Sequence, residues 1–180
     1  MDKTRLNKIW VISDTHFNHT NIIKYCNRPF KDANHMNESL IANWNAKVSP
    51  DDDVIHCGDF CFGNPLPIIN RLNGRITLVK GNHDQSFLKM MKYNQDPNLT
   101  DKVRVLDTFG IVSNEKKVLF IHYPIWQDRY SHNHVYDLLL YGHVHNGHED
   151  LPGPANTKNI CVEKMNYEPQ ELDVVVQSML

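Results

Sequence analysis

The chain has no stretch approaching the roughly 20 consecutive apolar residues that a membrane-spanning helix needs. Its first residues, Met1 to Lys8, are polar and charged, with no apolar segment of the secretory type behind them, so a cytoplasmic location is expected. Positive charge is not in excess. Lys and Arg total 19 against 21 Asp and Glu, a formal charge of −2. That excludes the basic footprint of a protein coating a nucleic-acid backbone, and no extended nucleic-acid surface is expected. A nucleotide or strand end as substrate is not excluded. Cysteine is sparse: Cys26, Cys57, Cys61 and Cys161 contain no C-x-x-C pair, which argues against a zinc ribbon, and reduced, partly buried thiols are expected. Internal repeats, low-complexity tracts and long linkers are also missing. The 180 residues, 41% of them hydrophobic, therefore read as a single soluble domain, 1–180, with enough chain to bury a core.

What the chain does have is histidine. Eleven residues is about three times ordinary usage, and imidazole is the commonest metal ligand. Short apolar runs recur at regular spacing and read as buried strands: Lys8 to Ser13, Val54 to Cys57, Ile76 to Val79, Val118 to Ile121 and Leu138 to Tyr141. Between some of them lie helical patterns. Asn37 to Val48 carries one apolar stripe of Leu40, Ile41, Trp44 and Val48. Leu66 to Leu72 and Ser86 to Tyr93 are shorter candidates. Strands alternating with helices predict a layered α/β fold. The second half is richer in strands, with Val103 to Leu106, Phe109 to Ser113 and Lys117 to Ile121 spaced like an antiparallel meander. Asn159 to Glu163 reads as a strand. Glu168 to Ser178 mixes both signals, with Pro169 suited to the first helical position and the Val174–Val176 run to a strand; helix is favoured.

Nearly every strand leads at once into a polar cluster. Ser13 is followed by Asp14-Thr15-His16, Cys57 by Gly58-Asp59, Val79 and Lys80 by Gly81-Asn82-His83-Asp84, Ile121 by His122, and Tyr141 by Gly142-His143-Val144-His145. Ligands of layered α/β folds bind outside the carboxyl ends of the strands, so five such clusters would converge there. Asp14 and His16, and likewise His143 and His145, lie two apart and would share one side of an extended segment. Each cluster alone is weak evidence. Gly-Asp is ordinarily a turn, and an isolated His122 is more often a satisfied core residue.

The five clusters in this order resemble the signature blocks of the calcineurin-like metallophosphoesterase superfamily, over residues 8 to about 165 and without substitution. The resemblance implies two mixed β-sheets packed as a sandwich flanked by helices, with the site at the strand ends. It also implies two divalent transition-metal ions. One would take Asp14, His16, a bridging Asp59 and His145; the other would take Asp59, Asn82, His122 and His143. Mixed nitrogen and oxygen donors favour Mn, Fe, Co, Ni or Zn over Mg or Ca. Two ions about 3.5–4 Å apart would clamp a phosphate and activate a shared water, whose hydroxide attacks phosphorus in line. His83 resembles the catalytic histidine that contacts phosphate and assists the leaving group, and Asp84 would orient His83 or cap a helix.

Further residues are candidates on position alone. Asn18 and His19 follow the first ligand pair closely enough to contact substrate. Arg28, in Asn27-Arg28-Pro29-Phe30, is either a phosphate ligand or a surface residue beside a packing corner. Trp126 is either a stacking platform for a base or a loop anchor. His56 reads as a partly buried strand residue. The function so implied is hydrolysis of a small phosphorylated substrate, with a phosphodiester such as a nucleotide or cyclic nucleotide preferred over a phosphomonoester. A DNA end-processing nuclease and a non-catalytic scaffold of the same fold are the alternatives. Scaffold members depart from the full ligand set, whereas this sequence keeps it.

Overall fold

Parallel strands covered on both faces read as continuous apolar runs rather than alternating ones, and β1 (Ile9–Ile12) and β2 (Asp53–His56) are buried at every residue after the first. The computed structural model describes residues 7–94, 96–124, 135–146 and 156–180. Within them β1 and β2 pair in parallel with each other, β2 with β3 (Arg75–Val79), and β3 with β4 (Val103–Leu106). The antiparallel strand β9 (Gln170–Glu171) closes this sheet at the β1 edge. A second mixed sheet has the order β5 (Phe109–Ser113), β6 (Lys116–Ile121), β7 (Leu138–Tyr141) and β8 (Thr157–Asn159), antiparallel only between β5 and β6. The expected meander is therefore a β5–β6 hairpin alone. Asn114 and Glu115 turn it with φ of 47° and 63°, as a two-residue hairpin requires, while β4 belongs to the other sheet.

The alternation along β1 decides the layers. Trp10 and Ile12 point into a core shared with α2 (Ala33–Lys47), α4 (Gln85–Tyr93) and α5 (Pro97–Lys102), through Leu40, Trp44, Phe87 and Leu99. Val11 points the other way, into the core between the sheets, with Ile55, Val79, Phe120 and Leu140. This is a sandwich of two mixed sheets with flanking helices. Asp32 caps α2 by accepting from His35 N–H at 2.7 Å, so that helix starts earlier than its apolar stripe. Helix α3 (Leu66–Ile69) is a single turn, and α1 (Thr20–Tyr25) follows the first ligand loop.

Two expectations change. The strand expected over Asn159 to Glu163 stops at Asn159, because the next residues leave one sheet for the other. Ile160 N–H bonds Tyr141 O of the second sheet at 2.9 Å, and Val162 N–H bonds Ser13 O of the first, also at 2.9 Å. The chain then turns, which buries Glu163 beneath the strand ends. The ambiguous C-terminal segment adopts both conformations. Gln170–Glu171 pairs with β1, and α6 (Leu172–Gln177) follows, with Leu172, Val175 and Val176 filling the core between the sheets.

Candidate metal centre

Strands β1, β2 and β3 run parallel, as do β6 and β7, so their carboxyl ends deliver the five polar clusters to one edge. The clusters are not extended. Asp14, His16, Asp59, His143 and His145 have φ of 56°, 49°, 55°, 75° and 49°, a left-handed conformation rare outside glycine. The shared orientation expected from extended alternation is thus produced by sharp turns instead. Strain of this kind persists where the surroundings over-determine it, and here the backbone is pinned. Asp14 N–H bonds Gly58 O and His16 N–H bonds Asp59 O, both at 3.0 Å. Glycine is required at 142, where a Cβ would collide with Ser13 Oγ and Asp14 Oδ2.

The side chains converge as two triads that share Asp59. Asp14, His16 and Asp59 offer ligand atoms within 4.8 Å of one another, and so do Asp59, His122 and His143. Asp59 Oδ2 lies 3.5 Å from His16 Nε2 and 3.6 Å from His122 Nε2, between the two groups. Asn82 Oδ1 lies 2.9 Å from His122 Nε2 and 3.1 Å from His143 Nδ1. His145 Nε2 lies 3.7 Å from Asp14 Oδ1. The hydrogen bonds made by the remaining atoms point each donor inward. His122 Nδ1 sits 2.8 Å from Cys57 O, which leaves Nε2 facing the cluster. Asp14 Oδ2 accepts from His143 N–H at 2.9 Å and from the Cys161 thiol at 3.2 Å, which leaves Oδ1 facing it.

Those inward atoms are the test of whether cations fit. Asp14 Oδ1 and both ring nitrogens of His16 are buried without a hydrogen-bond partner. Orphaned polar atoms are rare in folded proteins, and three in one cluster of oxygen and nitrogen donors match what divalent cations would complete. Burial, reinforced by His145 and Arg28, holds His16 in its neutral, ligand-competent form. Burial raises the Asp59 carboxyl and lowers His143. His145 behaves oppositely: burial opposes its charge, but hydrogen bonds with Cys26 and Glu163 carry it up to about 10.

His83 stands at the exposed rim beside the cluster. Its ring centroid is 5.7 Å from that of His16 and 5.3 Å from that of Phe62, and its backbone N–H donates to Asp59 Oδ1 at 2.8 Å. The expected bond between Asp84 and the His83 ring is not made. The Asp84 carboxylate accepts instead from the N–H groups of Asp59, Phe60 and Gly81 at 2.8–2.9 Å, so it shapes the ligand loops. Asp84 does occupy the cap position of α4, without a capping side-chain bond.

Arg28 is corrected more sharply. Its side chain is 0% exposed, so the guanidinium is closed to a phosphate. Nη1 donates to Thr15 O at 2.8 Å and to Met36 Sδ, Nη2 to Asp14 O at 2.7 Å, and Nε to Glu163 Oε1 at 2.8 Å. The Asn18 amide is likewise committed: its oxygen accepts from Asn37 at 2.6 Å, and its nitrogen donates to Cys61 Sγ and Phe62 O. Trp126 lies outside the described residues. His19 stacks on Phe62 with centroids 3.8 Å apart, and Tyr123 packs 4.6 Å from the His143 ring. Phe62, Tyr123 and Glu163 adjoin the site without being candidates on sequence. The first two adjoin ligand blocks and could have been suspected; Glu163 carries no local signal.

Comparison with known proteins agrees with this geometry. The sequence profile of the calcineurin-like phosphoesterase superfamily domain matches residues 8–151. An uncharacterized protein of Methanocaldococcus jannaschii is 37% identical over 182 residues, covering 96% of this chain and 91% of the relative. A phosphodiesterase of the same archaeon is 28% identical over 141 residues, covering 77% of this chain and 73% of the relative. The crystal structure of a protein of unknown function from Aquifex aeolicus superposes with a TM-score of 0.72 at 26% identity, covering 97% of this chain and all of that one. The chain belongs to the calcineurin-like phosphoesterase superfamily and is a hydrolase acting on ester bonds.

Proposed function

We propose that this enzyme hydrolyses a phosphodiester, of the nucleotide or cyclic nucleotide class, with two divalent transition-metal ions held around Asp59. The observation that carries the reading is the pair of donor triads sharing that one carboxylate. Asp14, His16 and His145 complete one site, and Asn82, His122 and His143 complete the other; Mn, Fe, Co, Ni and Zn suit such mixed donors. When bound, two such ions polarise the phosphoryl oxygens and acidify a water.

The chain's own residues do the rest. The parallel strand ends present every donor to one face, so a phosphate is oriented before reaction. His83 is the one exposed imidazole of the signature blocks that neither triad uses, and its rim position suits it to contact phosphate and donate a proton to the leaving oxygen. Phe62 and Tyr123 flank the site and suit an aromatic leaving group or base. The preference for a diester is supported by the phosphodiesterase relative.

The test uses metal-free enzyme refilled with single metals. Bis(p-nitrophenyl) phosphate should be cleaved faster than p-nitrophenyl phosphate, and a screen of cyclic and linear nucleotides should find the natural class. The opposite ratio overturns the diester reading. Asp59→Asn should abolish turnover and weaken both ions together; weakening of one ion only would refute the shared carboxylate.

A further inference from the structure

Glu163 belongs to none of the signature blocks, yet it is buried directly behind one of them. Its side chain is 3% exposed, and Oε1 lies 3.0 Å from His145 Nδ1. The same oxygen accepts from Arg28 Nε at 2.8 Å and lies 2.8 Å from Arg28 Nη2. The guanidinium also grips the carbonyls of Asp14 and Thr15. One buried cation thus ties the loop of Asp14 and His16 to the carboxylate that touches His145. Two more bonds hold the far loop in register: Asn159 Nδ2 to His145 O at 2.7 Å, and Asn146 Nδ2 to Cys26 O at 2.8 Å.

Two roles are open to such a carboxylate. Cys26, His145 and Glu163 offer donor atoms within 4.8 Å, which by itself could describe a separate cation site. The Arg28 guanidinium against Glu163 Oε1 argues against that, since a second cation there would meet an uncancelled like charge in a dry interior. Moreover, a cation on His145 Nδ1 would displace the hydrogen bond that turns Nε2 towards Asp14. The alternative role fits the contacts of Oε1, while Oε2 is buried without a partner among the described residues. A carboxylate accepting from Nδ1–H fixes the tautomer, aims the Nε2 lone pair and raises the basicity of the ring. Among the described residues the other site shows no such counterpart: His122 Nδ1 leans on the neutral carbonyl of Cys57.

We infer that Glu163, backed by Arg28, is a positioning residue that fixes His145 for the ion shared with Asp14 and His16, and that it makes the two cation sites unequal. The inference rests on the two-ion reading above. The Asp14 site carries a charged support behind its histidine, and the Asn82 site a neutral one. Loss of the Glu163 charge therefore weakens one ion selectively.

Titration of metal-free enzyme with Co(II), followed by calorimetry and visible absorption, tests this. Wild type should take up two ions. Glu163→Gln, which keeps the shape and one acceptor oxygen, should lower the affinity of one ion by about 10–100-fold and leave the other within a factor of about three. A merely structural role predicts equal loss at both sites, in step with a lower Tm; that result, or no loss at either, overturns the inference while the two-ion reading stands. Wild-type protein that binds no ion overturns both. A second measurement needs no variant. In Zn-loaded wild type, imidazole nitrogen NMR should find the His145 proton on Nδ1. A proton on Nε2, or metal on Nδ1, overturns the inference.

Discussion

The carboxylate of Asp84 holds the backbone of Asp59: Asp84 Oδ2 accepts from Asp59 N–H at 2.9 Å, and the same oxygen accepts from Gly81 N–H at 2.8 Å. One buried acid thereby sets the turn that carries another. Asp84→Asn exchanges one acceptor oxygen for a donor facing an N–H group. It should cost about 1–3 kcal/mol of stability and weaken both ions, because Asp59 serves both triads. Chemical denaturation and metal titration of the same variant check this, and unchanged metal affinity would refute the link.

His83→Ala separates chemistry from metal binding. Its ring lies outside both triads, while its backbone N–H, which the substitution keeps, supports Asp59. Turnover should fall by about 10²–10⁴, with two ions per chain retained by elemental analysis. The loss should shrink for substrates with good leaving groups, which need no proton.

Metal uptake should release a proton. Hydrogen bonds with Cys26 and Glu163 hold the metal-free His145 at about 10 against the penalty of burial, so the ring is protonated at neutral pH. An ion on Nε2 requires it neutral. Apparent affinity should therefore rise with pH, by up to about tenfold per unit through the neutral range. Calorimetry in two buffers of different ionisation heat measures the proton count directly; a count of zero would contradict the protonated starting state.

The fold itself should weaken in acid through His56. Thr15 Oγ1 donates to Phe60 O at 2.8 Å and lies 3.0 Å from His56 Nε2, while His56 Nδ1 is buried without a partner. Burial, with His122 nearby, pushes this histidine from 6.5 down to about 3. Between those values the unfolded chain takes up a proton that the folded chain refuses. Stability from this group is thus whole above the unfolded value and declines as pH falls towards the folded one, by up to about 1.4 kcal/mol per pH unit. Urea denaturation of metal-free protein across this range should show the slope, and His56→Leu should flatten it relative to wild type.

Much of this was legible in order along the chain. Apolar runs of four to six residues mark β1, β2, β3, β6 and β7, because a strand buried on both faces needs little beyond contiguous hydrophobic side chains. The donors that follow each run are chemically specific, so Asp14, His16, Asp59, Asn82, His122, His143 and His145 were candidates before any geometry. The C-terminal segment was not legible, since a two-residue strand followed by a single helical stretch presents both periodicities at once.

Arg28 shows where local reading fails. Beside Pro29 and Phe30 it has the look of a surface residue free to bind phosphate, and nothing within ten positions predicts its burial. Its partner Glu163 is 135 positions away. Asp84 likewise reads locally as a support for His83 or a helix cap, and only the return of Asp59 and Phe60 to its side, 25 and 24 positions distant, gives its carboxylate the use it has.

Which chemistry is possible follows from the order of residues, because donor types and strand-forming runs are properties of contiguous residues. How that chemistry is held follows from packing: which oxygen of Asp59 lies between two imidazoles, which nitrogen of His145 faces inward, and which buried charges stand behind them. Those are matters of angle and distance between segments far apart in the chain, and they exist only once both sheets have packed and brought their strand ends to one edge.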